Sequence, residues 1–140
     1  ISGDILLNLD TEEEGEVYIG CAGGANTDIV FPYQTVPVEK DHEAFQINIT
    51  GLFGGHSGED IHLKRGNAIK ILVWILNNLL DSVDCQLASI DGGSMQRNAI
   101  PREVHGVITA AKDDHSLFMK AFNELAQNMK DLFKKSDAGL

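Results

Sequence analysis

The chain has 140 residues, of which 43% are apolar, and its 21 acidic side chains outnumber 11 basic ones for a net charge of −10. This is enough for one domain, or one domain plus an arm, around a real core. The acidic excess argues against nucleic acid as a partner, since phosphate binding needs a basic face, and the longest apolar run, Ile71 to Leu76, falls far short of the ~20 residues that span a bilayer.

Cys21 and Cys85 make neither a disulfide framework nor a CxxC site and read as reduced cytoplasmic thiols. The chain shows no signal peptide and does not begin with methionine. Its start, directly in a strand-like segment, reads as that of a piece excised from a longer protein, with a cytoplasmic location expected.

Ile1 to Asp10 reads as a strand, with Ile5, Leu6, Leu7 and Leu9 forming the kind of apolar run buried in parallel sheets. Asp10 stands at its carboxyl end, where ligands collect in open α/β sheets. A lone carboxylate there either ligates a metal or starts the turn. Thr11 to Glu16 is acidic and turn-prone, and its glutamates read first as a solvated, mutually repelling stretch. Glu16 to Ile19 fits another short strand before Gly20-Cys21-Ala22-Gly23-Gly24 breaks it. Asn26 to Val38 is irregular, with Pro32 and Pro37 setting extended backbone. Lys40-Asp41-His42-Glu43 is a polar hinge, and a boundary is expected within 38–43.

From Ala44 to Leu52 the chain alternates, with Phe45, Ile47 and Ile49 on one side and Gln46, Asn48 and Thr50 on the other. A glycine-dense loop follows, Gly51-Leu52-Phe53-Gly54-Gly55-His56-Ser57-Gly58-Glu59-Asp60-Ile61. Glycines at this density permit positive φ and close backbone approaches. They display His56 between a strand and a helix. A displayed imidazole donates, accepts or binds metal near neutral pH, or it is merely the exposed side chain of a tight turn.

The next segment, roughly Leu63 to Asp81, reads as a helix whose core stripe is Ile69, Leu72, Val73, Leu76, Leu79 and Leu80. Ile71, Trp74 and Ile75 fall outside that stripe and predict a second apolar flank, covered by a dimer partner or by another domain of the same polypeptide. Cys85 to Ile90 and Val104 to Ala111 read as strands. Between them, Asn98 with Arg97 and Arg102 has the chemistry to meet a carboxylate or amide ligand, while Asn98 could equally bond its own backbone in a turn. Asp113 or Asp114 caps a second helix reaching about Lys135, with Leu117, Phe118, Ala121, Phe122, Leu125, Met129, Leu132 and Phe133 as its apolar stripe. Ser136 to Leu140 is expected to fray.

From residue 44 onward the order is strand, helix, strand, strand, helix. This predicts an α+β fold, a ferredoxin-like βαββα(β) layer with two helices on one face of an antiparallel sheet and the last strand missing.

The runs Leu7-Asn8-Leu9-Asp10-Thr11-Glu12-Glu13-Glu14-Gly15-Glu16, Gly20-Cys21-Ala22-Gly23-Gly24, Gly54-Gly55-His56-Ser57-Gly58 and Arg97-Asn98-Ala99-Ile100-Pro101-Arg102-Glu103 together resemble the aminoacyl-histidine dipeptidases, also called peptidase D or Xaa-His dipeptidases. These belong to the cocatalytic-zinc aminoacylase and carboxypeptidase group. The resemblance implies that residues 1–40 are a strand and crossover segment of an α/β zinc-peptidase domain, and that 41–140 are most of a lid that mediates homodimerisation. It implies a metal-ligand role for Asp10, an oxyanion-stabilising role for His56 and a substrate-binding role for Asn98. The implied reaction is hydrolysis of Xaa-His dipeptides by metal-activated water, with two zinc ions, or cobalt or manganese, in the parent. The further histidines, carboxylates and glutamate base of such a site have no counterpart in this chain. The fragment is therefore expected to be inactive alone, to retain no zinc and to need the rest of the catalytic domain. The alternative from another class is a free-standing ferredoxin-like binding or dimerisation module.

Overall fold

A computed structural model describes residues 3–5, 14–20, 23–93 and 96–140. The chain forms two compact units, residues 1–35 and 36–140. In the first, the described residues include no helix and no strand. Glu16 to Ile19, expected as a short strand, joins no ladder, and Val17 and Ile19 are fully in solvent. A strand persists only where a neighbour takes up its backbone groups. Asp10, most of the strand expected before it and Cys21 lie outside the described residues.

The second unit runs β1 (His42–Ile49), β2 (Gly55–His56), α1 (Ala68–Leu80), β3 (Cys85–Gly92), β4 (Ala99–Ile100), β5 (Val104–Ala111) and α2 (His115–Phe133). In the main sheet β5 lies between β1 and β3 and is antiparallel to both. β1 and β3 therefore point the same way with one strand between them, and α1 makes the crossover. This is the expected split βαβ arrangement. Both helices cover the face that bears Phe45, Ile47 and Ile49. Phe118 of α2 stacks on Phe45 with ring centroids 3.9 Å apart. Leu72 of α1 closes on Gly106, the partner of Ile47, where a Cβ would stand 3.1 Å from Leu72 Cδ2. His115 at the start of α2 also bonds Glu43 of β1 at 2.8 Å.

The face of α1 differs from the sequence expectation. Its buried residues are Ala68, Ile71, Leu72, Ile75, Leu76 and Leu79. These fall at i, i+3, i+4, i+7, i+8 and i+11, the regular spacing of one helical stripe. Ile71 and Ile75 are thus core, and Val73 and Leu80, assigned to the core from sequence, are 42% and 57% exposed. The helix also begins later. Gly66 ends the preceding segment, and Asn67 caps α1 by accepting the Lys70 amide at 3.1 Å. Leu63, expected to begin the helix, instead closes a separate 3₁₀ turn, Ile61–Leu63. In α2, Phe118 and Met129 are buried, while Leu117 and Leu132 are exposed at the margins of the expected stripe.

The C-terminal segment does not fray. Asp137 is 1% exposed and its carboxylate reaches the glycine loop. The apolar pattern ends before it, so periodicity carried no sign of this burial.

Candidate functional site

The glycine loop is built backbone first. Gly51 has φ +81°, and a side chain there would collide with the carbonyl of Gly139. Only glycine accommodates both the conformation and the approach. Beyond it Asp137 accepts the Phe53 amide at 2.9 Å through Oδ1 and the Gly66 amide at 2.8 Å through Oδ2. One carboxylate thus ties the start of the loop to its end. Buried amides need such partners.

Between these anchors β2 pairs with β4, Gly55 opposite Ile100 and His56 opposite Ala99. The Ser57 amide donates to the Asn98 carbonyl at 2.7 Å. Residues 56 and 98, more than forty positions apart in sequence, are therefore brought to adjacent strand ends. His56 is half-buried and Asn98 exposed.

The ring of His56 is held by the backbone that follows it. The amides of Gly58 and Glu59 both donate to its Nδ1, each at 3.1 Å. A nitrogen that accepts two N–H groups carries no proton. The neutral ring must then bear its proton on Nε2, leaving that nitrogen as a hydrogen-bond donor. The turn is closed by Asp60, whose Oδ2 accepts the His56 amide at 2.8 Å and whose own amide donates to the His56 carbonyl at 3.0 Å. Arg65 Nη1 lies 3.4 Å from the same Asp60 oxygen and donates to the Gly54 carbonyl at 2.8 Å.

Two clefts border the β2–β4 pair. One, of 410 Å³, is lined by Ser57, Ile61, Trp74, Pro101 and Leu132 among others. The other, of 530 Å³, includes Phe53, Gly55, Gln96 and Arg102. Trp74 thus edges a cleft beside α2 rather than the side of α1 that carries Val73 and Leu80.

Sequence reasoning missed Asp60, Arg65 and Asp137. Asp60 and Arg65 sit in a polar stretch with no periodic signal. Asp137 follows the last apolar residue of α2. A carboxylate near several glycines was the available cue, since glycine-rich backbone leaves amides that need acceptors.

Among the described residues no group of three or more His, Cys, Asp or Glu side chains is arranged to hold a metal ion. The donor set present does not fit a dinuclear metal centre, and Asp10 is outside the described residues. Also among the described residues, no helix is long and apolar enough to cross a membrane.

A family model, the peptidase dimerisation domain, matches residues 47–137. The chain is 37% identical to the cytosol non-specific dipeptidase of Escherichia coli (strain K12) over 140 residues, which is 100% of this chain and 29% of that protein. The aminoacylhistidine dipeptidase of Vibrio alginolyticus aligns with a TM-score of 0.68 and 33% identity over 72% of this chain and 20% of that one. An aminobenzoyl-glutamate utilization protein from Klebsiella pneumoniae, at 12% identity and TM-score 0.54 over 66% of this chain and 25% of that one, shares the fold alone. The chain spans less than a third of the length of each of these relatives.

Proposed function

Since the chain belongs to the peptidase dimerisation domain family, we propose that it is the lid-forming part of a metal-dependent dipeptidase that hydrolyses Xaa-His type dipeptides in the cytoplasm. Residues 41–140 form the lid and dimerisation layer, and residues 1–40 belong to a catalytic-domain segment. Asp10 contributes one metal ligand. Zinc, or cobalt or manganese, would be held mainly by residues outside this chain and would supply Lewis-acid activation of water. This chain's own share of the chemistry is binding and charge stabilisation.

The observation that carries the reading is the His56 ring, whose Nδ1 is occupied by two backbone amides. Its Nε2–H is the one donor the neutral ring offers. Placed against a scissile carbonyl, that donor strengthens its bond as negative charge grows on oxygen, which favours the transition state over the ground state. A donor of this kind is worth ~3 kcal/mol. The exposed Asn98 amide, at the neighbouring strand end, donates to or accepts from the substrate backbone. The ring needs no metal and no charge to do this.

A homodimer through the lid is part of the proposal. β3 has β5 on one edge and no strand on the other among the described residues. Leu87 and Ile90 on it, and Val73 and Leu80 on α1, are exposed apolar residues. A Cβ on Gly93, just after β3, would stand 3.1 Å from Ile69 Cδ1, so this flank of α1 borders that edge. An open edge beside an apolar flank suits a second copy.

A free-standing ferredoxin-like module is not favoured. Identity to the dipeptidase runs over all 140 residues, including those before the layer. The test is hydrolysis of alanyl-histidine by a polypeptide of the relatives' length carrying this sequence, with and without a chelator. Chelator-sensitive turnover is expected, with none from residues 1–140 alone. Metal-loaded turnover by the 140-residue chain would overturn the reading.

A further inference from the structure

We propose that Arg65 and Asp60 are positioning residues for His56, forming a clamp on the peptide groups either side of Gly55. The proposal rests on the reading of His56 as an oxyanion donor. Asp60 Oδ2 takes the amide of His56 at 2.8 Å, and Arg65 Nη1 takes the carbonyl of Gly54 at 2.8 Å. The two side chains meet at 3.4 Å. A single ion pair thus holds a donor on one side of Gly55 and an acceptor on the other.

The clamp is needed because the strand is short. β2 has only two residues, Gly55 and His56, and its partner β4 has two. An isolated two-stranded pair is marginal in water, so sheet pairing alone does not hold the histidine. Charge-assisted hydrogen bonds are stronger than neutral ones and better defined in direction. Both members of the pair are about three-quarters buried, which limits screening.

Gly55 shows the closeness of the fit. Its φ is +137°, and a Cβ there would stand 2.5 Å from Arg65 Nη1 and 2.5 Å from Asp60 Oδ2. The space that a side chain would take is filled by the clamp. Asp60 also donates its amide to the His56 carbonyl at 3.0 Å. Both backbone groups of His56 therefore end on Asp60, and the turn so defined aims the Gly58 and Glu59 amides at Nδ1. The bonds of Asp60 and Arg65 run to backbone groups of Gly54 and His56. They act on the ring through the backbone that carries it.

The test is ¹⁵N NMR of the full 140-residue chain. Long-range ring correlations of His56 report its tautomer, and hydrogen exchange reports its amide. Amides of β5 report the fold. Arg65→Met and Asp60→Ala are each expected to speed exchange of the His56 amide by about tenfold and to move the ring from the Nε2–H form toward a tautomer mixture. The β5 amides stay unchanged, and Asp60→Asn, which keeps an oxygen for the His56 amide, restores much of the parent signature. If Arg65→Met loses the β5 protection, the pair Asp60→Ala and Asp60→Asn decides. An unchanged ring and amide in Asp60→Ala overturns the clamp. Activity of the longer enzyme separates the two readings: an altered ring with undiminished turnover contradicts the oxyanion role and leaves the clamp standing.

Discussion

Asp137 and Gly66, 71 positions apart in the chain, are joined by a buried hydrogen bond of 2.8 Å from the Gly66 amide to Asp137 Oδ2. The other oxygen of the same carboxylate takes the Phe53 amide at 2.9 Å. The loop that carries His56 is thus closed by a side chain from beyond the last helix. Asp137→Ala removes both acceptors and leaves two amides without partners. Each buried unsatisfied donor costs ~1–3 kcal/mol, so urea denaturation should show a loss of ~3 kcal/mol. Removing residues 136–140 should do the same.

Gly51→Ala should be nearly as damaging. The residue has φ +81°, and the added methyl would run into Gly139. The expected loss of at least ~1 kcal/mol is read from the urea midpoint. Gly20→Ala, where a Cβ meets nothing within 4 Å, should leave the midpoint unchanged.

The main layer was legible because its signals are periodic. The strand expected over Val104 to Ala111 is β5 to the residue, and the element order of the sheet followed from alternation and helical spacing. The rotation of the α1 stripe was not legible. Leu, Ile and Val cover more than half the circumference of that helix, so more than one stripe fits, and packing against Gly106 selects one. The β2–β4 pair was missed because two-residue strands have no period. The site was half legible. Glycine density marked the His56 loop, and the structure brings Asn98 beside it. The charged residues that hold the loop come from places where polarity alone predicts solvent.

The proposed dimer makes a directional prediction. Leu87→Arg and Val73→Glu, on the open side of β3 and α1, should yield monomers in sedimentation velocity with the circular dichroism of the parent. Trp74→Glu, on the cleft side of α1, should leave the dimer intact. Dimers unchanged by both of the first two substitutions would remove this surface from consideration.

Burial pushes the Cys85 thiol above its ordinary value of 9.0, and the neighbouring Asp84 charge pushes it further. The folded state therefore holds this proton to higher pH than the unfolded chain does. The associated stability is complete below the unfolded thiol pKa and is lost as pH rises through the folded one. In a Cys21→Ser background, the urea midpoint should fall above pH 9 more steeply than in Cys21→Ser/Cys85→Ala. Iodoacetamide at pH 8 should label Cys85 only after unfolding.

The measurement that bears most directly on the central claim is the kinetics of His56→Ala in a polypeptide of the relatives' length. Alanyl-histidine is the substrate and bound metal is determined in parallel. If Nε2–H of His56 stabilises the oxyanion, kcat falls by about 10²–10³ while KM and metal content stay near those of the parent. A variant that keeps its kcat would show that the imidazole held by Gly58 and Glu59 takes no part in the reaction.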